Sequence, residues 1–185
     1  MMRRLAFGVA LSALTAAIAQ ANPEGAPAGH TGGLGQPDCS ACHDLGAEPT
    51  EHSGLFLEGL PDTFEAGREY TFELTVIDPA ARVAGFQLML VSGDGEHGQW
   101  LPGEGQAVME QSDSVYVHHS QPRMTQEDGK SGERRAQWML RWRAPEAEGA
   151  LAIYAAAVAG DDDQSPFGDN VYTVTKKGRI ERPVP

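Results

Sequence analysis

Residues 70–76 read YTFELTV, with apolar side chains at every second position. Successive side chains of a β-strand point to opposite faces, so the apolar positions from Tyr70 to Val76 would share one face and the threonines the other. Such alternation is typical of a strand that buries one face against a core. The stretch therefore predicts a protein built on β-sheet.

Six other stretches carry strand patterns, and turn-forming residues separate them: 55–57, 83–91, 114–119, 137–143, 151–158 and 169–175. Residues 151–158 are apolar on both faces, which predicts a central strand. No stretch after residue 21 keeps a helical period. Short strands with regular turn signals predict an all-β fold, an immunoglobulin-like antiparallel β-sandwich.

The chain changes character at about residue 54, where the strand patterns begin. Residues 22–53 are rich in glycine, proline and alanine and show almost no hydrophobic period. A segment of this composition cannot bury enough apolar surface to build a core alone. We expect a signal peptide at 1–21, an irregular segment at 22–53, the sandwich at 54–178 and a tail at 179–185.

The first 21 residues have the three parts of a secretory signal peptide. Two arginines precede an apolar run over residues 5–18, and Ala19-Gln20-Ala21 supplies small residues at a cleavage position. The run is too short for a comfortable membrane span. We expect cleavage after Ala21, with Ala19 as the alternative, and a periplasmic or secreted mature protein without a membrane span.

The two cysteines of the chain lie in the run Cys39-Ser40-Ala41-Cys42-His43. C-x-x-C-H is the attachment signature of a c-type haem, in which both thiols bind the porphyrin and the histidine binds iron. The motif predicts one covalent haem c, with Cys39 and Cys42 as the attachment residues and His43 as the proximal iron ligand.

Other uses of the two thiols remain open at this point. They could form a disulfide or a thioredoxin-like redox pair, although no apolar strand precedes the motif as such a pair would require. A zinc site would need four ligands, and there is no second C-x-x-C. The haem interpretation is the one we adopt.

The sixth ligand of the iron would decide between electron transfer and ligand binding. His119 is our candidate, because it follows Val115 and Val117 on the same strand face and precedes the strand breaker Pro122. His118 and His30 come next, and His52 is a further possibility. The alternative is that these are ordinary rim histidines.

The chain is acidic, with 26 acidic and 14 basic residues and a formal net charge of −12. This balance disfavours nucleic acid and anionic membranes and favours a redox partner with a basic docking patch. The acidic run Asp161-Asp162-Asp163, together with Asp169, could bind calcium through its carboxylates. It lacks the spacing of an EF-hand, so a solvated acidic turn is the simpler interpretation.

Several short motifs resemble the Reeler (reelin-like) domain and its bacterial choice-of-anchor V relatives. The N-terminal signature of those relatives is matched by residues 25–32 and 39–43 together, and their strand entry by residues 65–70, which contain Gly67 and Tyr70. The other matching stretches are Gly85-Phe86-Gln87, 142–145, 154–157 and Gly168-Asp169. The resemblance implies an immunoglobulin-like sandwich preceded by a haem-attachment segment. It also implies a recurrent histidine at the position of His119. Such relatives often end in an anchor, whereas this sequence stops at Pro185, so we expect a free periplasmic protein.

The function we expect is that of an exported monohaem c-type cytochrome that passes single electrons between redox partners, and so an electron carrier more than an enzyme. The alternative is an extracytoplasmic binding or adhesion module in which the haem is structural or a redox sensor. No phosphate-binding loop, H-E-x-x-H motif or serine nucleophile elbow is present, so nothing supports a hydrolase.

Overall fold

The computed structural model describes residues 22–43, 50–51, 54–93, 95–129 and 131–183. Thirteen strands lie in this part of the chain: β1 (Thr50–Glu51), β2 (Leu55–Glu58), β3 (Thr63–Glu65), β4 (Glu69–Ile77), β5 (Val83–Ser92), β6 (Gln99–Trp100), β7 (Gln106–Gln111), β8 (Ser114–His119), β9 (Arg123–Met124), β10 (Gln126–Glu127), β11 (Arg134–Arg143), β12 (Gly149–Gly160) and β13 (Asn170–Glu181). A three-residue 3₁₀ turn, Cys39–Ala41, precedes them.

The strands form two sheets. In the eight-stranded sheet the order is β1-β13-β12-β5-β8-β7, with β3 also paired to β13 and β9 to β5. The five-stranded sheet has the order β10-β11-β4-β2, with β6 paired to β11. The predicted β-sandwich is confirmed, and each of the seven predicted strands is present. Most pairs are antiparallel, but β1 and β3 both run parallel to β13.

The core fills the space between the two sheets. Alternation along β4 and β11 directs Phe72, Trp138 and Trp142 inward, and each is fully buried. Residues of β5 and β12 on the facing side of the eight-stranded sheet, such as Leu88 and Ile153, complete the same cluster. We call this side of the eight-stranded sheet its inner face. Burial of large apolar side chains there is the main source of stability.

The opposite side of that sheet, its outer face, is covered by residues 22–43, which we call the N-terminal segment. Alternate residues of β5 and β12, including Gln87, Met89 and Ala156, are therefore buried although they point away from the core between the sheets. This explains why residues 151–158 are apolar on both faces. The segment is organised by the sheet it covers.

No helix in the described part of the chain is long and apolar enough to cross a membrane. The predicted signal peptide at 1–21 lies outside the described residues, as does His52.

Candidate binding cavity beside the N-terminal segment

One large cavity lies where the N-terminal segment meets the edge of the sandwich. Its volume is about 850 Å³, within the range of roughly 300–1,000 Å³ typical of small-molecule sites. The walls come from the N-terminal segment, residues 83–86 of β5, the end of β8 and the loop 161–169 between β12 and β13. We call it the N-terminal cavity. Much of its lining is apolar, including Pro27, Phe86 and Val158.

Hydrogen bonds from Gln87 fix the first half of the N-terminal segment on the outer face. The Gln87 side-chain amide donates to the carbonyl oxygens of Ala26 (3.2 Å) and Pro27 (3.0 Å), and its oxygen accepts from the backbone N–H of His30 (2.7 Å). A buried amide that satisfies three backbone groups orients the chain at one register. The cavity wall formed by this half of the segment is thereby held in place.

Two glycines allow the segment to approach the sheet closely. A Cβ atom at Gly33 would lie 2.2 Å from Cγ of Tyr154, and a Cβ atom at Gly25 would lie 2.2 Å from Nδ1 of His118. No larger residue fits either position without displacing an aromatic ring. Gly25 also has a φ of +119°, which L-residues rarely adopt.

The cysteine motif is folded into a short 3₁₀ turn. The Asp38 side chain accepts a hydrogen bond from the backbone N–H of Ser40 (2.8 Å), which is the usual way to cap such a turn. The backbone N–H groups of Cys42 and His43 then donate to the Cys39 carbonyl at 3.2 and 3.0 Å. This turn brings both cysteines and His43 to the wall of the N-terminal cavity.

The two thiols differ in their surroundings. Cys39 is buried against Ala156 and Val171 of the outer face, whereas Cys42 is half-buried. Burial, with smaller contributions from Asp38 and Cys42, raises the pKa of Cys39 to about 12. Both cysteines are free in the structure. A redox dithiol needs a thiolate of lowered pKa, so the environment of Cys39 disfavours that alternative.

His43 is held by a carboxylate from the other end of the chain. Its Nδ1 lies 2.6 Å from Oδ2 of Asp169, which is buried at 5% exposure. The imidazole is itself half-buried, and it lines the N-terminal cavity together with Asp169. The contact joins the motif to the loop before β13.

His119 lies on the same cavity wall and is 8% exposed. Its ring sits over Gly85, where a Cβ atom would come within 2.5 Å of Cε1. Nδ1 lies 2.9 Å from the backbone nitrogen and 3.1 Å from the carbonyl oxygen of Phe86. Burial lowers the pKa of His119, although the Phe86 contact opposes this, and His118 and His43 lower it further. The lowered pKa favours the neutral form of the His119 imidazole.

The structure brings Cys39, Cys42, His43 and His119 together, and their role as haem ligands stays a prediction. Of the other candidates, His30 lines the cavity with Nδ1 bonded to the Pro27 carbonyl (2.9 Å). His118 is buried on the outer face, where its Nδ1 contacts the His119 carbonyl (2.7 Å). Trp100, Trp138 and Trp142, the aromatic residues that could have walled a haem site, lie in the sandwich core.

The acidic loop behaves as a solvated turn with one exception. Asp161 and Asp163 are exposed and accept hydrogen bonds from backbone N–H groups two residues further on, at 3.1 and 2.7 Å. Asp169 is separate from them and faces His43. Within the described ranges, no three histidine, cysteine or acidic side chains converge on a point where a metal ion would bind.

Sequence reasoning missed three residues that shape the cavity. Asp169 was considered only for calcium, because nothing in the local sequence connects it with His43, 126 residues away. Gly85 and Phe86 were recognised as a strand motif, but not as the place where the His119 ring would lie. The pairing of β5 with β8 is what brings Gly85 and Phe86 next to His119.

No family model matches the chain, and no curated protein matches it. Among solved structures, the human F-spondin reeler domain is 25% identical with a TM-score of 0.47, and the likeness covers 72% of this chain and 95% of that one. The Reelin-N domain of F-spondin is 24% identical with a TM-score of 0.47, over 73% and 94%. A cohesin from the archaeon Archaeoglobus fulgidus is 12% identical with a TM-score of 0.34, over 66% and 91%. The Reeler domain that the motifs resemble is thus among the structures similar to this chain.

The prediction of an electron-carrying c-type cytochrome is wrong. The described chain is a β-sandwich whose helical content is one three-residue turn, so it lacks a helical cytochrome-like fold. No cluster of three metal-ligating side chains lies in that part of the chain. The predictions of a haem cytochrome, of electron transfer and of iron binding had rested on the run from Cys39 to His43 alone. The alternative, an extracytoplasmic binding module, agrees better with the fold.

Proposed function

We propose that the chain is an extracytoplasmic binding module whose ligand site is the N-terminal cavity. The observation that carries the proposal is the cavity itself, a space of about 850 Å³ with a largely apolar lining and polar side chains that include His43, His119 and Asp169. Large apolar pockets with a few placed polar groups are the usual form of small-molecule sites. The signal-like residues 1–21 support export, and the resemblance to Reeler domains supports a module of this class.

The cofactor is a further part of the proposal: one haem, covalently attached through Cys39 and Cys42, serves as a structural group of the module. The donor set fits it, because both thiols and the imidazoles of His43 and His119 line one cavity. Nδ1 of His43 contacts Asp169 and Nδ1 of His119 contacts the backbone of Phe86, so Nε2 of each ring is the nitrogen that would bind the haem iron. When bound, haem would supply a metal centre that accepts nitrogen ligands.

A structural role means that the haem adds to the docking of the N-terminal segment, which the hydrogen bonds of Gln87 also hold without it. The test compares the exported protein, produced with haem-attachment factors, with a Cys39→Ala/Cys42→Ala variant and a Ser40→Ala control. Intact mass reports attachment, and limited proteolysis reports the protection of residues 22–43. We expect a one-haem mass increase and a protected segment in the wild type and the control, and faster cleavage in the double variant. Equal protection in all three would contradict the structural role.

Ligand binding to the cavity is tested separately with a blocking variant. Val158 lines the cavity, so Val158→Trp fills part of it, whereas Val108→Trp alters an exposed position on β7. In the Cys39→Ala/Cys42→Ala background, the probe is ferric protoporphyrin IX, followed by its absorption spectrum. We expect binding that Val158→Trp weakens at least tenfold and Val108→Trp leaves unchanged. Equal binding by both variants would show that the porphyrin binds elsewhere.

A further inference from the structure

Asp169 is the one buried carboxylate that faces the cavity from the loop before β13. It is 5% exposed, and Oδ2 lies 2.6 Å from Nδ1 of His43. The neighbouring acids of the same loop, Asp161 and Asp163, are exposed and bonded to backbone N–H groups. Asp169 therefore differs from them in burial and in partner, although it belongs to the same acidic run.

The fold makes room for this carboxylate. A Cβ atom at Gly160, the last residue of β12, would lie 2.9 Å from Oδ1 of Asp169 and 3.4 Å from its carboxyl carbon. The residue after Asp169 is anchored as well, since the Asn170 side chain donates to Oδ2 of buried Asp78 (2.7 Å). The missing side chain of Gly160 leaves room for the Asp169 carboxylate, and the hydrogen bond of Asn170 to Asp78 fixes the backbone beside it.

The contact selects one tautomer of His43. An ionised carboxylate only accepts hydrogen bonds, so Nδ1 of His43 must carry the proton that it donates to Asp169. In the neutral ring Nε2 then keeps its lone pair. A hydrogen bond from the far nitrogen of a metal-binding histidine is the usual way in which proteins orient the ring and raise its basicity.

We propose that Asp169 is a positioning residue, which fixes the His43 ring and its Nδ1–H tautomer so that Nε2 is presented to the ligand in the N-terminal cavity as an electron-pair donor. The ligand class is one with an electron-poor metal centre. This proposal rests on the proposed function for the identity of that ligand, but the tautomer belongs to the protein alone. Asp169 acts through His43.

The first experiment needs no ligand. In the full exported chain carrying Cys39→Ala/Cys42→Ala, nitrogen-15 NMR of the histidine rings distinguishes the two tautomers. We expect Nδ1–H for His43, a shift toward Nε2–H in Asp169→Ala, and no change in the control variant Asp113→Ala, which alters an exposed aspartate between β7 and β8. An Nε2–H tautomer before any Asp169 change, or an unchanged tautomer in Asp169→Ala, would overturn the proposal. Unchanged backbone amide spectra of the strands confirm that the sandwich is folded.

The second experiment uses the haem-loaded protein and reads the reduction potential. A more basic nitrogen ligand stabilises ferric iron, so Asp169→Asn, which keeps the shape and removes the charge, should raise the potential relative to wild type and to Asp113→Asn. An unchanged potential would overturn the proposed effect on His43. If no haem attaches to the wild type, the cofactor proposal fails, and the NMR experiment still decides the role of Asp169.

Discussion

The two faces of the eight-stranded sheet are both buried, but by different means. On the inner face, Leu88 and its neighbours pack into one apolar cluster with the opposing sheet. On the outer face, the adjacent residue Gln87 is equally buried, yet it is an amide that binds the backbone of the N-terminal segment. One face is stabilised by apolar area, which is non-directional, and the other by close approach and directed hydrogen bonds.

Because the two faces are buried by different contacts, the stability of the sandwich and the formation of the cavity depend on different residues. The inner face determines whether the sandwich folds, and the outer face determines whether the N-terminal segment lies where the cavity needs it. Cys39 and His43 belong to that segment, whereas His119 and Asp169 belong to the sandwich. The cavity therefore exists only while the segment is docked, so changes on the outer face should affect the cavity without unfolding the domain.

The largest effect is expected from Leu88→Ala on the inner face. Leu88 is fully buried, and its truncation removes apolar contacts and leaves a cavity, at a cost of about 2–5 kcal/mol. Urea unfolding followed by tryptophan fluorescence measures the change in the free energy of unfolding. Val108→Ala on exposed β7 is the control and should change it by less than about 0.5 kcal/mol. A similar small change for Leu88→Ala would mean that the inner face is not the main source of stability.

The next effect is that of Gly33→Ala on the outer face. The added methyl group would overlap the Tyr154 ring, and overpacking of this kind costs about 1–3 kcal/mol. Because the strain is relieved when the segment leaves the sheet, we expect hydrogen exchange and proteolysis to increase in residues 22–43 while the urea midpoint of the sandwich is kept. Gly129→Ala, at a position with open space, is the matched control. A lowered urea midpoint without a change in the segment would contradict the separation of the two faces.

A smaller effect is expected for the hydrogen bond between Gln36 and Tyr116. Gln36 Nε2 donates to the Tyr116 hydroxyl at 2.8 Å, and one such bond contributes about 0.5–1.5 kcal/mol. The measurement is a double-mutant cycle of Gln36→Ala and Tyr116→Phe, read as the free energy of local opening of the segment by hydrogen exchange. A coupling energy near zero would show that the contact does not contribute to docking.

The sequence revealed the inner face more fully than the outer face. The alternation of residues 70–76 and the bounds of the strand 114–119 were predicted correctly, because a half-buried strand has a local period of two. The strands β6, β9 and β10 have two residues each, which is too short for any period to be visible. The parallel pairing of β3 with β13 joins residues more than 100 positions apart and has no local signal.

The same reasoning explains what was found and missed in the candidate site. Cys39, Cys42 and His43 form a contiguous motif, and His119 was chosen because strand geometry places it on the face of Val115 and Val117. The contact of Asp169 with His43 and the ring position of His119 over Gly85 depend on how distant strands pair. The function predicted from the motif was wrong because a short motif indicates a cofactor chemistry and not the fold that would use it.

The smallest effect at neutral pH concerns the ionisation of Cys39, which lies where the segment meets the outer face. Burial raises the thiol pKa in the folded state from 9.0 to about 12, so folding favours the neutral thiol. Below pH 9 the thiol is protonated whether the segment is docked or not, and its contribution to docking is fully present. As the pH rises from 9 toward 12, the undocked state loses a proton that the docked state keeps, and this contribution is lost.

Alkylation of the haem-free chain with iodoacetamide measures how strongly docking protects each thiol. The Cys42→Ser variant reports the reaction of Cys39, and the Cys39→Ser variant reports that of Cys42. At pH 8 we expect the half-buried Cys42 to react much faster than Cys39, because a buried protonated thiol is neither accessible nor nucleophilic. Gly33→Ala, which weakens docking, should speed the reaction of Cys39 and leave that of Cys42 almost unchanged. Equal rates for the two thiols in the folded wild type would mean that Cys39 is not held against the outer face. Docking on the outer face would then rest on Gln87, the close approach of the glycines and the Gln36–Tyr116 hydrogen bond.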